Sequence, residues 1–158
     1  MRSQLLLAGL LLTATPGLAD RRDVTLALGD RVATITASGA GEVLSVGLPG
    51  GAMVDVLSGA DVEIVAAAGG PETIALFGAP IMVLEVTGTH SCDDGDPLAY
   101  YVEKLGLVPG APQGPLTSCG PLAVTIADGL VTLTPDPGRK DAEAWTWEPA
   151  TGFVPKAD

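Results

Sequence analysis

His90 is the chain's only histidine, and it stands in the most polar stretch, Thr89-His90-Ser91-Cys92-Asp93-Asp94-Gly95-Asp96-Pro97. A Ser-His-Asp triad would have to use this imidazole as its base. Ser91 adjoins it, but neighbours on an extended chain point to opposite faces. A bridge between Cys92 and Cys119 would bring Thr117 and Ser118 beside His90 and so offer a hydroxyl. No Gly-x-Ser-x-Gly elbow is present to expose a nucleophile. A hydrolase built on His90 and the Asp93–Asp96 loop is therefore the runner-up reading. The plainer one is a loop histidine hydrogen-bonded locally.

Three aspartates in the same stretch, Asp93, Asp94 and Asp96, offer the hard oxygen ligands that Ca²⁺ prefers. They lack the D-x-[DN]-x-[DN]-G spacing and the distant glutamate of an EF-hand loop. A solvated acidic turn is the simpler expectation, with a Ca²⁺-stabilised structural module as the alternative. Zinc finds too few ligands, since one histidine and two bridged cysteines fall short of the usual three or four nitrogen and sulfur donors. Asp61 and Glu63 lie two apart, opposite Val62 and Ile64, as on the wet face of a half-buried strand. No glycine run has nucleotide-loop spacing. Catalytic residues and cofactors are accordingly expected to be none.

Trp145 and Trp147 share one face of the last expected long strand, Ala142 to Glu148. Such a pair either packs in the core or offers a platform to a partner, because tryptophan is enriched in interface hot spots. Gly106 to Pro115 is the longest irregular stretch. Trp145, Trp147 and Gly110 are the candidate partner contacts.

Those residues must be held by the rest of the chain, whose first segment sets its compartment. Met1-Arg2-Ser3-Gln4 is a charged start, Leu5 to Thr15 is apolar, and Gly17-Leu18-Ala19 supplies small residues. That is the pattern of a secretory signal peptide cleaved after Ala19. An apolar run of about 11 residues is too short to cross a bilayer. The expected mature chain, residues 20–158, is periplasmic or secreted. Removing Arg2 with the leader leaves 7 basic against 19 acidic residues, so the net charge of −11 becomes −12. A phosphate backbone is bound through Lys and Arg, so nucleic acid is excluded as a partner. The plain use of such a field is solubility outside the cytoplasm, and the sharper one is attraction to a basic protein partner.

In an oxidising compartment Cys92 and Cys119 should pair. Closing a loop of 27 residues stabilises by about 3.5 kcal/mol through lost chain entropy. The bridge would staple the irregular 106–115 stretch, which has little core of its own.

Between these features run short β-prone segments. Val24–Leu28, Arg31–Thr36, Val43–Leu48, Ala52–Leu57, Asp61–Ala66 and Glu72–Phe77 are each bounded by Gly or Pro. Ile81–Thr87 is apolar on both faces, which predicts a central strand, with Glu85 interrupting one face. Leu98–Lys104 reads as a strand, or as one helical turn opened by Asp96-Pro97. Asp128-Gly129 joins Leu122–Ala127 to Leu130–Thr134 in a two-residue hairpin. Residues 148–158 read as a partly frayed tail. No sustained 3.6-residue stripe appears.

The expectation is one all-β domain, an antiparallel sandwich or barrel of many short strands with one disulfide. It is read as an exported, acidic, non-catalytic interaction domain. One version is an inhibitor of a basic secreted hydrolase such as lysozyme.

Overall fold

The computed structural model describes residues 24–39, 41–139 and 142–157. The expected leader and its cleavage site lie outside the described residues. Strands β1 (Val24–Leu28), β2 (Arg31–Ser38), β3 (Gly41–Gly47) and β4 (Met53–Gly59) form an antiparallel meander. A second antiparallel sheet contains β5 (Glu63–Ala68), β6 (Ile81–Thr87), β7 (Pro97–Lys104) and β8 (Gln113–Cys119), in that order. The third contains β9 (Leu122–Ala127), β10 (Leu130–Pro135), β11 (Trp145–Glu148) and β12 (Gly152–Pro155), ordered β12-β11-β10-β9. A short helix, α1 (Pro71–Phe77), connects β5 to β6.

The expected β class is observed, and the Cys92–Cys119 disulfide with it. The sheets stack in three layers, and β6 shows why. Its alternation sends Met82, Leu84 and Val86 into a core shared with Ala33, Ile35, Leu44 and Val46 of the first sheet. Ile81 and Val83 point the other way, into a core shared with Val131, Leu133 and Trp147 of the third sheet. A strand covered on both faces must be apolar on both, and residues 81–84 are all completely buried.

Glu72–Phe77 departs from the expected strand and forms α1 instead. Pro71 supplies a pre-set φ in the first turn, and Glu72 places negative charge at the positive end of the helix. Gly78 closes it in the left-handed conformation, donating its N–H to the Ile74 carbonyl at 2.8 Å. Seven residues are too few to display a hydrophobic stripe. Burial of Phe77, stacked on Trp147 at 6.3 Å between ring centroids, sets the helix against the third sheet.

Two further boundaries differ. The strand expected over 142–148 is only Trp145–Glu148, and the terminal segment expected to fray adds β12 instead. Phe153 pairs with Trp147 across β11–β12 and packs on the second core, which repays the ordering of that segment. The 106–115 loop is also shorter than expected, because β8 starts at Gln113. Leu98–Lys104 resolves as strand β7, and the Asp128-Gly129 hairpin forms as expected. Asp128 and Gly129 take φ of 52° and 75°, the positive pair that a type I′ turn requires.

Candidate functional site

β7 and β8 run antiparallel, so the ends of their hairpin carry different chemistry. Pro97 pairs with Cys119 at one end and Val102 with Gln113 at the other. The disulfide therefore ties the polar 88–96 loop to the end of β8. It does not staple the 105–112 loop, as the sequence led us to expect. That loop is held by the buried Leu105 and by Arg31, whose Nη2 donates to the Gly106 carbonyl at 2.7 Å. Exposed Gly110 thus sits the length of a strand, about 20 Å, from the bridge.

At the disulfide end lies a cavity of about 760 Å³ between β8, β9, β11 and the segment that enters β11. Thr117, Ser118 and Cys119 form one wall, Leu122 and Trp145 another, and Asp94, Arg139 and Glu143 bring charge to it. Trp145 is half-buried with its ring against the second core. Trp147 shares that face but is fully buried, with Nε1 donating to Gln113 Oε1 at 3.0 Å. The two indoles therefore stand apart in character. Only Trp145 reaches the cavity.

Arg139 is half-buried in this wall, beside two glycines. A Cβ at Gly120 would collide with Arg139 Nη1, and one at Gly95 would lie 3.6 Å from Nη2. At Gly120 the missing Cβ is space the guanidinium occupies, whereas a Cβ at Gly95 would press on the Cys119 carbonyl oxygen at 2.6 Å. Both glycines have positive φ, 131° and 84°, a backbone conformation that favours glycine whatever the space around it. Among the described residues no carboxylate lies within ion-pair distance of Arg139, and its guanidinium makes no side-chain hydrogen bond.

The bridge does bring Ser118 next to His90, but in another way than a nucleophile would need. A His90 ring nitrogen, Nε2, lies 3.1 Å from the Ser118 carbonyl oxygen. The Ser118 hydroxyl donates to the Gly120 carbonyl at 2.8 Å. Imidazole and hydroxyl are each committed to backbone. His90, Cys92 and Cys119 place donor atoms within 4.8 Å of one another, the one such group among the described residues. Both sulfurs are consumed by the disulfide, so they offer no thiolate to a metal. Asp93, Asp94 and Asp96 are exposed and do not converge with a further ligand into such a group. Asp61 and Glu63 are likewise exposed, and Asp61 accepts a hydrogen bond from the Thr87 hydroxyl at 3.1 Å.

Glu85 is part of a polar bridge inside the second and third layers. It accepts a 2.5 Å hydrogen bond from the Tyr100 hydroxyl, which in turn accepts from the Leu122 backbone N–H at 2.9 Å. Burial, then the Glu85 carboxylate, pushes the Tyr100 hydroxyl above the usual phenol range. The bridge links β6, β7 and β9 and fixes where the cavity wall at Leu122 begins.

Sequence reasoning missed Arg139, Glu143, Arg31 and Glu103. The first two flank the short 140–141 segment and carry no motif. Arg31 and Glu103 alternate with apolar neighbours as core residues do, yet only their charge was visible. Glu103 is 1% exposed, its Oε1 has no partner, and burial pushes its carboxyl up to about 7.

Compared with protein-family models, characterised proteins and solved structures, the chain matches none.

Proposed function

We propose that this chain is an exported, acidic binding domain whose contact site is the cavity beside the Cys92–Cys119 bridge. The observation that carries this is the convergence there of a half-exposed indole, a guanidinium without a carboxylate partner among the described residues, two carboxylates and a hydroxyl on a stapled wall. Pockets of about 300–1,000 Å³ with a few placed polar groups are the usual form of a ligand site. His90 and Ser118 are both engaged with backbone, which favours binding over hydrolysis as its use. Export rests on the pattern of residues 1–19, and oxidation of the cysteines fits it. The net charge of −11 favours a basic partner, so inhibition of a basic secreted hydrolase such as lysozyme is one form of the same reading.

The test is a crosslinking experiment on the tagged full chain in its native compartment. A photoreactive group replaces Glu143 at the cavity, and a control group replaces Leu107 at the far end of the β7–β8 hairpin. Capture of one species from position 143 and not from 107 is expected, and Trp145→Ala should weaken it about tenfold with the fold intact. Equal capture from both positions, or none from 143, overturns the site. Intact mass of the exported chain should begin at Asp20.

A further inference from the structure

We propose that Arg139 is the anchor for a planar carboxylate carried by the ligand of this cavity, a reading that rests on the cavity being the binding site. Arginine stays protonated at any physiological pH, so its guanidinium must be paired or solvated. Here it is half-buried, and among the described residues it meets no carboxylate within ion-pair distance. Its Nη1 lies over Gly120, in space that a Cβ there would overlap. A guanidinium that lies over Gly120 at a cleft and meets no carboxylate among the described residues is placed to take its counter-ion from outside.

The shape of the group selects the counter-ion. A guanidinium presents parallel N–H donors that match the two oxygens of a carboxylate. Leu122 and Trp145 supply the apolar part of the same wall, against which an apolar group beside the carboxylate can pack. The Ser118 hydroxyl is spent on Gly120, which leaves Thr117 as the second donor at the wall. Asp94 and Glu143 line the cavity too, and the whole chain is strongly acidic. Both penalise a dianion, so a monoanionic carboxylate is favoured over a phosphate monoester. The remaining volume, walled by Trp145, accommodates an apolar side chain attached to that carboxylate.

The experiment follows the Nε–H resonance of Arg139 and the tryptophan emission of the oxidised full chain during titration. The probes are N-acetyl-leucine, N-acetyl-leucinamide and methyl phosphate. The acid should shift the Arg139 resonance saturably. The amide and methyl phosphate should bind about tenfold more weakly or not at all. Arg139→Gln should abolish binding of the acid, and Arg139→Lys, which keeps the charge and loses the fork, should weaken it about tenfold. Arg139 is partly exposed, so both variants are expected to fold, as far-UV circular dichroism will report. A tetrapeptide ending in the same leucine distinguishes the sources. Tighter binding assigns the carboxylate to a polypeptide terminus, and equal binding to a small acid. Acid and amide binding alike, undiminished in Arg139→Gln, would sink the anchor while leaving the cavity as a site. Methyl phosphate binding more tightly than the acid overturns the carboxylate assignment. Absence of any Arg139 shift overturns the anchor, and only the Glu143 crosslink decides whether the site falls with it.

Discussion

Glu103 is the residue whose chemistry departs furthest from its surroundings. It pairs with Met82 across β6–β7 and so points into the core between the first two sheets. Arg31 enters the same layer, on the face of Ala33 and Ile35, but spends its donors on Gly47 and Gly106 carbonyls and on exposed Asp30. With burial holding the Glu103 carboxyl at about 7, against 4.5 for an ordinary glutamate, the folded chain binds a proton that the unfolded chain releases. Stability should be greatest below the unfolded value, fall as pH rises towards 7, and level off above it, where both states are ionised. The full contribution is on the order of 3 kcal/mol. Glu103→Gln should remove this slope and stabilise the chain at about pH 8 while changing little near pH 4. Urea midpoints of both chains across that range check the prediction, and parallel curves would refute it. Trp147→Ala belongs to this scale too. It empties the centre of the second core and should cost about 3–5 kcal/mol, whereas Trp145→Ala, half-exposed, should cost far less. The sequence showed these tryptophans on one face and no more, because a shared face does not say how far the next layer extends over it.

At the scale of elements, legibility followed whether the signal was local. The Asp128-Gly129 hairpin was readable because its φ values are a property of two residues. β6 was readable because covering on both faces writes itself into every position from Ile81 to Val86 except Glu85. α1 was not, since its Pro71 and Gly78 boundaries serve turns between strands equally well, and the contact that selects a helix is Phe77 on Trp147, seventy residues away. β12 was hidden for the same reason. Its apolar content is little more than Phe153 and Val154, and it becomes a strand only because β11 offers an edge. Phe153→Ala should therefore lower stability by about 1–2 kcal/mol, since a half-buried phenylalanine contributes part of its full burial term. A neutral result by thermal melt would mean that β12 is held by backbone pairing alone. The cavity wall was legible in pieces, with Asp94, Trp145 and the disulfide readable and Arg139 not. The bridge should carry about 3.5 kcal/mol if chain entropy governs it, so Cys92→Ser with Cys119→Ser should lower the denaturation midpoint by that equivalent. Loss of His90 and Ser118 proximity should accompany it, because the bridge is what holds the 88–96 loop on β8.

The whole molecule is two hydrophobic cores that share one sheet. β5–β8 contributes Met82, Leu84 and Val86 to the first core and Ile81, Val83 and Tyr100 to the second. Neither outer sheet can leave without exposing one face of that shared layer, and α1 and the Arg31–Gly106 contact add ties across the layers. This geometry argues for a single cooperative unit. The alternative is that β1–β4, a consecutive meander paired only within itself, opens first as a separate unit. The tryptophans decide between them. Trp145 and Trp147 both lie in the third sheet, so their fluorescence reports the second core alone, while far-UV circular dichroism reports all three sheets. Coincident urea transitions by the two probes are expected. A circular-dichroism transition that begins at lower urea than the fluorescence one would show the first sheet unfolding on its own. Leu84→Ala sharpens the comparison. It cuts the first core from the shared layer by about 2–5 kcal/mol, and in a cooperative molecule both probes must move together by that amount.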